Sequence, residues 1–325
     1  MGQSEGIQTC SAGLDIGGTR IRLALVANQH ILWRRDTSWP ENVSGEEELD
    51  FLLQWTEDCL RTVSAPLHIK SVGIAFAGNV DHAGTVLMWP NRPAWRGIPL
   101  RSSFQARLNM PLLIEDDANA AAFGELSFGA CKGSQNFLFA TAGTGIGAGI
   151  ILQRTIYRGQ HGWAGELGHL VVEPQGPLCT CGRRGCLQAI ASGRALDNLA
   201  HQCGLESARE LGKAAEYGDG WAVYHLVKSG ESLGRMIANI VNFLDLEGAV
   251  LGGGLSTLSG KWWAALQTHF EMTLSPSLKG AVFLRKSILG DEAGLLGAAA
   301  LAAEKHSQKT GYPGWDKTTR NALRR

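Results

Sequence analysis

Apolar positions along the chain fall into two alternating kinds of pattern. In "SAGLDIGGTRIRLALV" (11–26) an apolar run meets a Gly-Gly-Thr turn and continues as an alternating run. That order predicts a strand, a tight turn and a second strand. "NFLFATAGTGIGAGIILQ" (136–153) has the same plan, with Gly17 and Gly145 at matching points of a weak internal repeat. "GAVLGGGLS" (248–256) reads as a buried strand running into three glycines. Helical spacing lies between these. "EEELDFLLQWTEDCLRTV" (46–63) places Leu49, Phe51, Leu52, Trp55, Cys59 and Leu60 on one face. "DANAAAFGELSFGA" (117–130) is alanine-rich and opens on Asp117 as its expected N-cap. "SGESLGRMIANIVNFLD" (229–245) and "AGLLGAAALAAEK" (293–305) complete the helical set. Strands alternating with helices predict an α/β class, and the paired turns predict two related lobes with a break near Asn119.

A chain of 325 residues suits two lobes better than one small core. Lys+Arg and Asp+Glu both number 30, so no global field draws the protein toward nucleic acid or an anionic membrane, and neither is expected as a partner. No run of eighteen apolar residues occurs, the order of "MGQSEGIQTC" is not that of a signal peptide, and the myristoylation pattern is missing. A cytoplasmic location is therefore expected. The cysteines total 7, an odd number with one tight cluster, which reads as thiols plus a metal site and not as a disulfide framework.

The glycine turns carry the first candidate chemistry. Gly and Thr let backbone N–H groups and a hydroxyl approach an anion closely. One turn offers Gly17, Gly18, Thr19 and Arg20; Asp15 beside it would repel phosphate directly but can hold Mg2+ through water. The other offers Thr141, Gly143, Thr144, Gly145 and Gly147. Neither ends in Gly-Lys-Ser/Thr, and 143–149 runs into an apolar strand, unlike a dinucleotide-binding turn. Either turn alone reads equally well as an ordinary hairpin. Together they point to ATP. The second candidate is His169 with Cys179, Cys181 and Cys186, a common tetrahedral zinc set. Four protein ligands leave no open position, so the metal would be structural, ordering a loop with few apolar residues. A loop of free thiols is the alternative.

The ordered set "DIGGT", "EDDANAAAFGE", "TAGTGIGAG", "GWAGELGH", "CTCGRRGC" and "LGGG" resembles the ROK family (repressor, open reading frame, kinase) of sugar kinases and sugar-responsive regulators, over about residues 12–303. The resemblance implies an actin-like (ribonuclease H-like) ATPase fold, two lobes around a central cleft that binds sugar and MgATP, and a homodimer. The lobes would be 1–118, with 296–306 packing back on it, and 119–295, which contains the zinc loop 169–186. Residues 307–325 would form a peripheral tail. It also implies Asp117 as catalytic base; on its own Asp117 reads as a helix cap. Glu166 and His169 match sugar contacts, and His169, Cys179, Cys181 and Cys186 match zinc ligands. Gly78, Asn79 and Asn91 match the region that closes over the sugar, with Ala77 in place of a usual proline. Gly252, Gly253 and Gly254 would approach the adenine nucleoside.

Two positions depart from the family pattern: Asp116 replaces a usual Asn and Gln188 a usual sugar-binding Glu. They are expected either to re-aim hydroxyl recognition or to weaken activity. Trp89, Trp95 and Trp163 read first as core and second as sugar-stacking rings. The expected function is an ATP-dependent kinase of a hexose or N-acetylhexosamine, and the resemblance implies the 6-hydroxyl as the position phosphorylated. A sugar-binding regulator is the alternative, disfavoured because only fourteen residues precede Asp15, too few for a helix-turn-helix. A sugar-binding protein without turnover is the third reading.

Overall fold

Alternation around the first glycine turn becomes an antiparallel pair, β1 (Gln8–Ile16) and β2 (Arg20–Ala27), in register from Ser11 opposite Val26 to Ile16 opposite Ile21. β3 (His30–Ser38) extends it, antiparallel to β2, after a turn whose Asn28 and Gln29 both take positive φ. Next comes α1 (Gly45–Arg61). Its N-cap Ser44 and Glu47 form a reciprocal capping box, which satisfies two helix-end donors. β4 (Leu67–Phe76) runs parallel to β1. The short pair β5 (Asn79–Val80) and β6 (Val86–Met88), α2 (Leu100–Leu108) and β7 (Leu112–Asp116) follow. The sheet order is β3-β2-β1-β4-β7.

The second half repeats this plan. α3 (Asp117–Ser127) leads to the antiparallel pair β8 (Phe137–Ala142) and β9 (Ile146–Leu152), extended by the short β10 (Thr155–Ile156). Four helices follow: α4 (Leu187–Ala191), α5 (Gly193–Gln202), α6 (Ala208–Glu216) and α7 (Gly220–Leu244). β11 (Gly248–Gly252) is parallel to β8. After α8 (Gly260–Thr273), β12 (Phe283–Lys286) pairs parallel with β11, and α9 (Ala293–Ser307) ends the fold. The order β10-β9-β8-β11-β12 matches that of the first sheet strand for strand. α7 starts nine residues before the expected 229–245, because its first turns carry exposed aromatics (Trp221, Tyr224) that blur the apolar period.

This computed structural model describes residues 8–63 and 67–307. The chain forms two compact units, Asp116–Gly297 and the chain before and after it. The division falls at Glu115/Asp116 and not at 118/119, because Asp116 caps α3 and belongs with it. α9 begins in one unit, and its residues from Ala298 on belong to the other. The expected tail lies outside the described residues from 308 onward. Each unit has its own core. Leu14, Ile21, Leu23, Leu52, Ile74 and Phe104 fill the first; Leu138, Leu196, Leu226, Leu233, Ile237, Leu251 and Trp262 fill the second. Among the described residues no helix is long and apolar enough to cross a membrane.

Candidate functional site

In the first unit the β1–β2 turn closes with the Gly17 N–H donating to Arg20 O at 3.0 Å. Asp15, Gly17, Gly18, Thr19, Arg20 and Arg22 surround a cavity of about 310 Å³. The Asp15 carboxylate accepts a bond from Arg22 Nη1 at 3.0 Å, a partner that the sequence reading missed. Asn91 also reaches this turn: a Cβ added at Gly18 would lie 2.6 Å from Asn91 Nδ2, so glycine is what lets the amide in. Gly78 and Asn79 follow β4, and Asn79 pairs with Met88 across the β5–β6 ladder. A Cβ at Gly78 would sit 2.7 Å from Met88 O, so this segment also requires glycine. Trp89 and Trp95 are core side chains, 1% and 0% exposed. Trp163, also read as core, is 41% exposed, because its loop carries the polar and glycine residues of 158–166 and offers it no apolar bed.

In the second unit the remaining residues converge on the β8–β9 turn. Gly143 N–H donates to Gly145 O at 3.0 Å. The N-terminus of α5 packs there, with Gly193 N–H donating to Gly143 O at 2.7 Å and Arg194 N–H to Thr144 O at 3.3 Å. Gly252 pairs with Thr141, and Gly253, at φ +82°, has its missing Cβ against Ala142 O. Thr141, Gly143, Thr144, Gly145 and Gly252–Gly254 are thereby neighbours.

Asp117 is the first residue of α3 and not its cap. The cap is Asp116, whose Oδ1 accepts from the Ala118 and Asn119 N–H groups at 3.0 Å each. A carboxamide oxygen can accept the same two bonds. The start of α3 lies on β9: a Cβ at Gly147 would be 3.6 Å from that of Ala118, and one at Gly149 would be 2.6 Å from Ala118 O. The Glu166 loop packs on the same strand, with the missing Cβ of Gly165 against Ala148 O and that of Gly168 against Ile146 O. Glycines on both sides thus draw Asp117, the second turn, Glu166 and His169 onto one strand.

His169 Nδ1 lies 3.7 Å from Cys179 Sγ, and Cys181 Sγ lies 3.7 Å from Cys186 Sγ. All four ligand atoms fall within 4.8 Å of one another. A tetrahedral ion bound by thiolates at about 2.3 Å has ligand atoms about 3.8 Å apart, so the spacing fits one ion. His169 Nε2 faces the other way, 3.8 Å from Glu166 Oε2. The loop folds as a knuckle: Cys179 N–H donates to Arg183 O and Gly182 N–H to Cys179 O. The Arg183 backbone N–H brings the Cys181 thiol down to about 6, while burial pushes Cys186 up to about 11. A bound cation would favour thiolate at both. Gln188 Nε2 donates to Cys179 Sγ and Thr180 Oγ1, each at 3.4 Å. Its Oε1 faces Gly145 and Gly168, so one amide joins the cysteine loop to the second turn.

Two matching sheets, each with a Gly/Thr hairpin turn, define an actin-like ATPase fold. The chain belongs to the ROK family, whose model matches residues 11–305. It is 31% identical over 310 residues to glucokinase from Thermotoga maritima, covering 90% of this chain and 97% of that protein. Among solved structures it is similar to a ROK hexokinase from Thermus thermophilus (TM-score 0.82, 33% identity, 92% of this chain and 99% of that one). It is also similar to a ROK glucokinase from Streptomyces griseus in complex with glucose and AMPPNP (TM-score 0.76, 32% identity, 91% and 99%).

Proposed function

We propose that this protein phosphorylates a hexose or N-acetylhexosamine with ATP at the 6-hydroxyl. The observation that carries the reading is the placement of Asp117 at the start of α3, on the strand that also receives the second Gly/Thr turn and the Glu166–His169 loop. The Asp117 carboxylate takes the hydroxyl proton as the sugar oxygen bonds to the γ-phosphorus and the bond to ADP breaks. The positive end of the helix macrodipole favours a negative charge at that position. Glu166, His169, Gly78, Asn79 and Asn91 bind the sugar. Asp116 and Gln188 shape its subsite from behind, through the helix cap and the cysteine loop.

The N–H groups of both turns hold the phosphates, with Thr19, Arg20, Thr141 and Thr144. Gly252–Gly254 admit the nucleoside, and Asp15 orients hydrated Mg2+, which neutralises phosphate charge. The four-residue cluster holds Zn2+. Bound there, the ion would order the loop and hold the His169 ring, and His169 Nε2 would be left to meet a sugar hydroxyl. MgATP as substrate and free thiols suit the cytoplasm.

A homodimer is also proposed. Val171, Leu178 and Tyr224 are exposed apolar side chains of the second unit, and Val171 and Tyr224 line one cavity of about 570 Å³.

A coupled ADP-release assay over glucose, mannose, fructose, allose, GlcNAc and ManNAc tests the activity. Turnover is expected on at least one sugar, with Asp117→Asn lowering kcat by about a thousandfold or more while sugar binding persists in calorimetry. Asp117→Asn turnover close to wild type would remove Asp117 as base. Sugar binding without ADP release in the wild type would favour the regulator reading or that of a sugar-binding protein without turnover.

A further inference from the structure

The two carbonyls of the first glycine turn are held from the same side. Gly17 O accepts from Trp39 Nε1 at 2.9 Å, and Gly18 O accepts from Arg92 Nη2 at 3.2 Å. In a trans peptide the C=O and the next N–H point in opposite directions. These contacts therefore aim the N–H groups of Gly18 and Thr19 away from the tryptophans. Neither N–H has a hydrogen-bond partner among the described residues, and both residues line the 310 Å³ cavity beside Asp15 and Arg20.

Arg92 is itself fixed on several sides. Its Nη1 donates to Glu48, whose other oxygen accepts from Trp95 Nε1 at 2.5 Å. Its guanidinium lies over the Trp39 ring, 4.4 Å from the centroid. Trp39, Trp89 and Trp95 meet edge to face at 4.8–5.6 Å, and Phe76 closes on Trp89 at 4.9 Å. Glu48, in the first turn of α1, is 7% exposed.

Stability alone does not account for this box. A buried ion pair is often matched or bettered by apolar side chains of similar size. Arg92 Nε and Trp89 Nε1 are also buried with no partner, which adds a cost. What the charges provide that apolar side chains cannot is a donor fixed on the Gly18 carbonyl.

We propose that Trp39, Arg92 and Glu48 are positioning residues that lock the Gly17–Gly18 and Gly18–Thr19 peptide planes, so that two N–H donors stand ready for a phosphate of the nucleotide. Donors fixed before the ligand arrives need no reorganisation on binding. The proposal rests on the sugar-kinase reading for the identity of the phosphate.

The decisive variant is Trp39→Phe, which keeps a ring in the box and removes only the donor to Gly17. Arg92→Met removes the Gly18 contact. Arg92→Lys keeps the charge but lacks the fork that spans Glu48 and Gly18. Calorimetry with Mg–AMPPNP and separately with the sugar gives each affinity, alongside ATP and sugar KM and thermal melting. Trp39→Phe and Arg92→Met are expected to weaken Mg–AMPPNP binding and raise ATP KM about tenfold, with sugar affinity within about twofold of wild type. Arg92→Lys should recover part of the loss.

Folded Trp39→Phe protein with wild-type Mg–AMPPNP affinity would overturn the proposal. So would equal loss of sugar and nucleotide affinity across the variants, which marks a general structural role. Should Arg92→Met fail to fold, Trp39→Phe decides. A wild type that binds Mg–AMPPNP but releases no ADP with any sugar removes the kinase reading and leaves the brace to be judged by the same affinities. A wild type that does not bind Mg–AMPPNP removes the brace as well.

Discussion

Asp116 and Asp117 are chemically alike and adjacent, and the backbone gives them different work. Asp116, still extended, turns its carboxylate onto the N–H groups of α3; Asp117, one residue on, is already helical. Removing the cap with Asp116→Ala is expected to lower unfolding free energy by about 1 kcal/mol in urea titration. Asp116→Asn, which keeps an acceptor oxygen, is expected to stay within a few tenths of wild type and to leave the order of sugar preference unchanged. A changed sugar ranking would restore Asp116 as a direct specificity residue. From sequence the cap is expected at Asp117, one residue late, because two consecutive aspartates satisfy the same local rule. Only the φ and ψ of Asp116 separate them.

At the scale of the element, the cysteine loop depends most on something outside its own packing. Residues 170–186 are tied by two isolated bridges, Val171 with Cys186 and Leu178 with Arg184, while Leu170, Val171 and Leu178 remain exposed. Such a loop lacks the apolar burial to order itself. α4 begins directly after Cys186 and buries Leu187, Ile190 and Ala191, so disorder in the loop would spread into the second core. Chelation of the metal is therefore expected to lower the melting temperature by at least about 5 °C and to abolish sugar binding, both restored by added Zn2+. A colorimetric zinc-release titration beside the melts checks this; unchanged melting in metal-free protein would rule out the structural role. The ligand set was legible in sequence because the three cysteines and His169 are close along the chain. The Gln188 amide on Cys179 was not, because direction of a side chain is set by how α4 leaves the loop.

Over the whole molecule the governing feature is repetition. Each unit builds the same strand order around a hairpin with a Gly/Thr turn, and each has a separate apolar core. The exposed Val171, Leu178 and Tyr224 sit apart from both cores, and cover by a second copy is the proposed reason for their exposure. Sedimentation equilibrium at micromolar concentration is expected to give twice the chain mass, and Tyr224→Glu to shift the protein to monomer; a wild-type monomer would end that proposal. Sequence by itself determined the hairpins, the glycine turns, the cysteine–histidine set and the α/β class, since the first three rest on residues close along the chain and the class on the order in which strand and helix patterns alternate. Only the tertiary structure decided which carbonyls of the first turn are held and by what. Glu48 and Arg92 are 44 positions apart, and Arg92 and Gly18 are 74 apart. No local periodicity relates such positions. They meet because β1, the start of α1 and the segment after β6 fold onto one core, and in a close-packed core a charged pair can stand only where its partners are fixed.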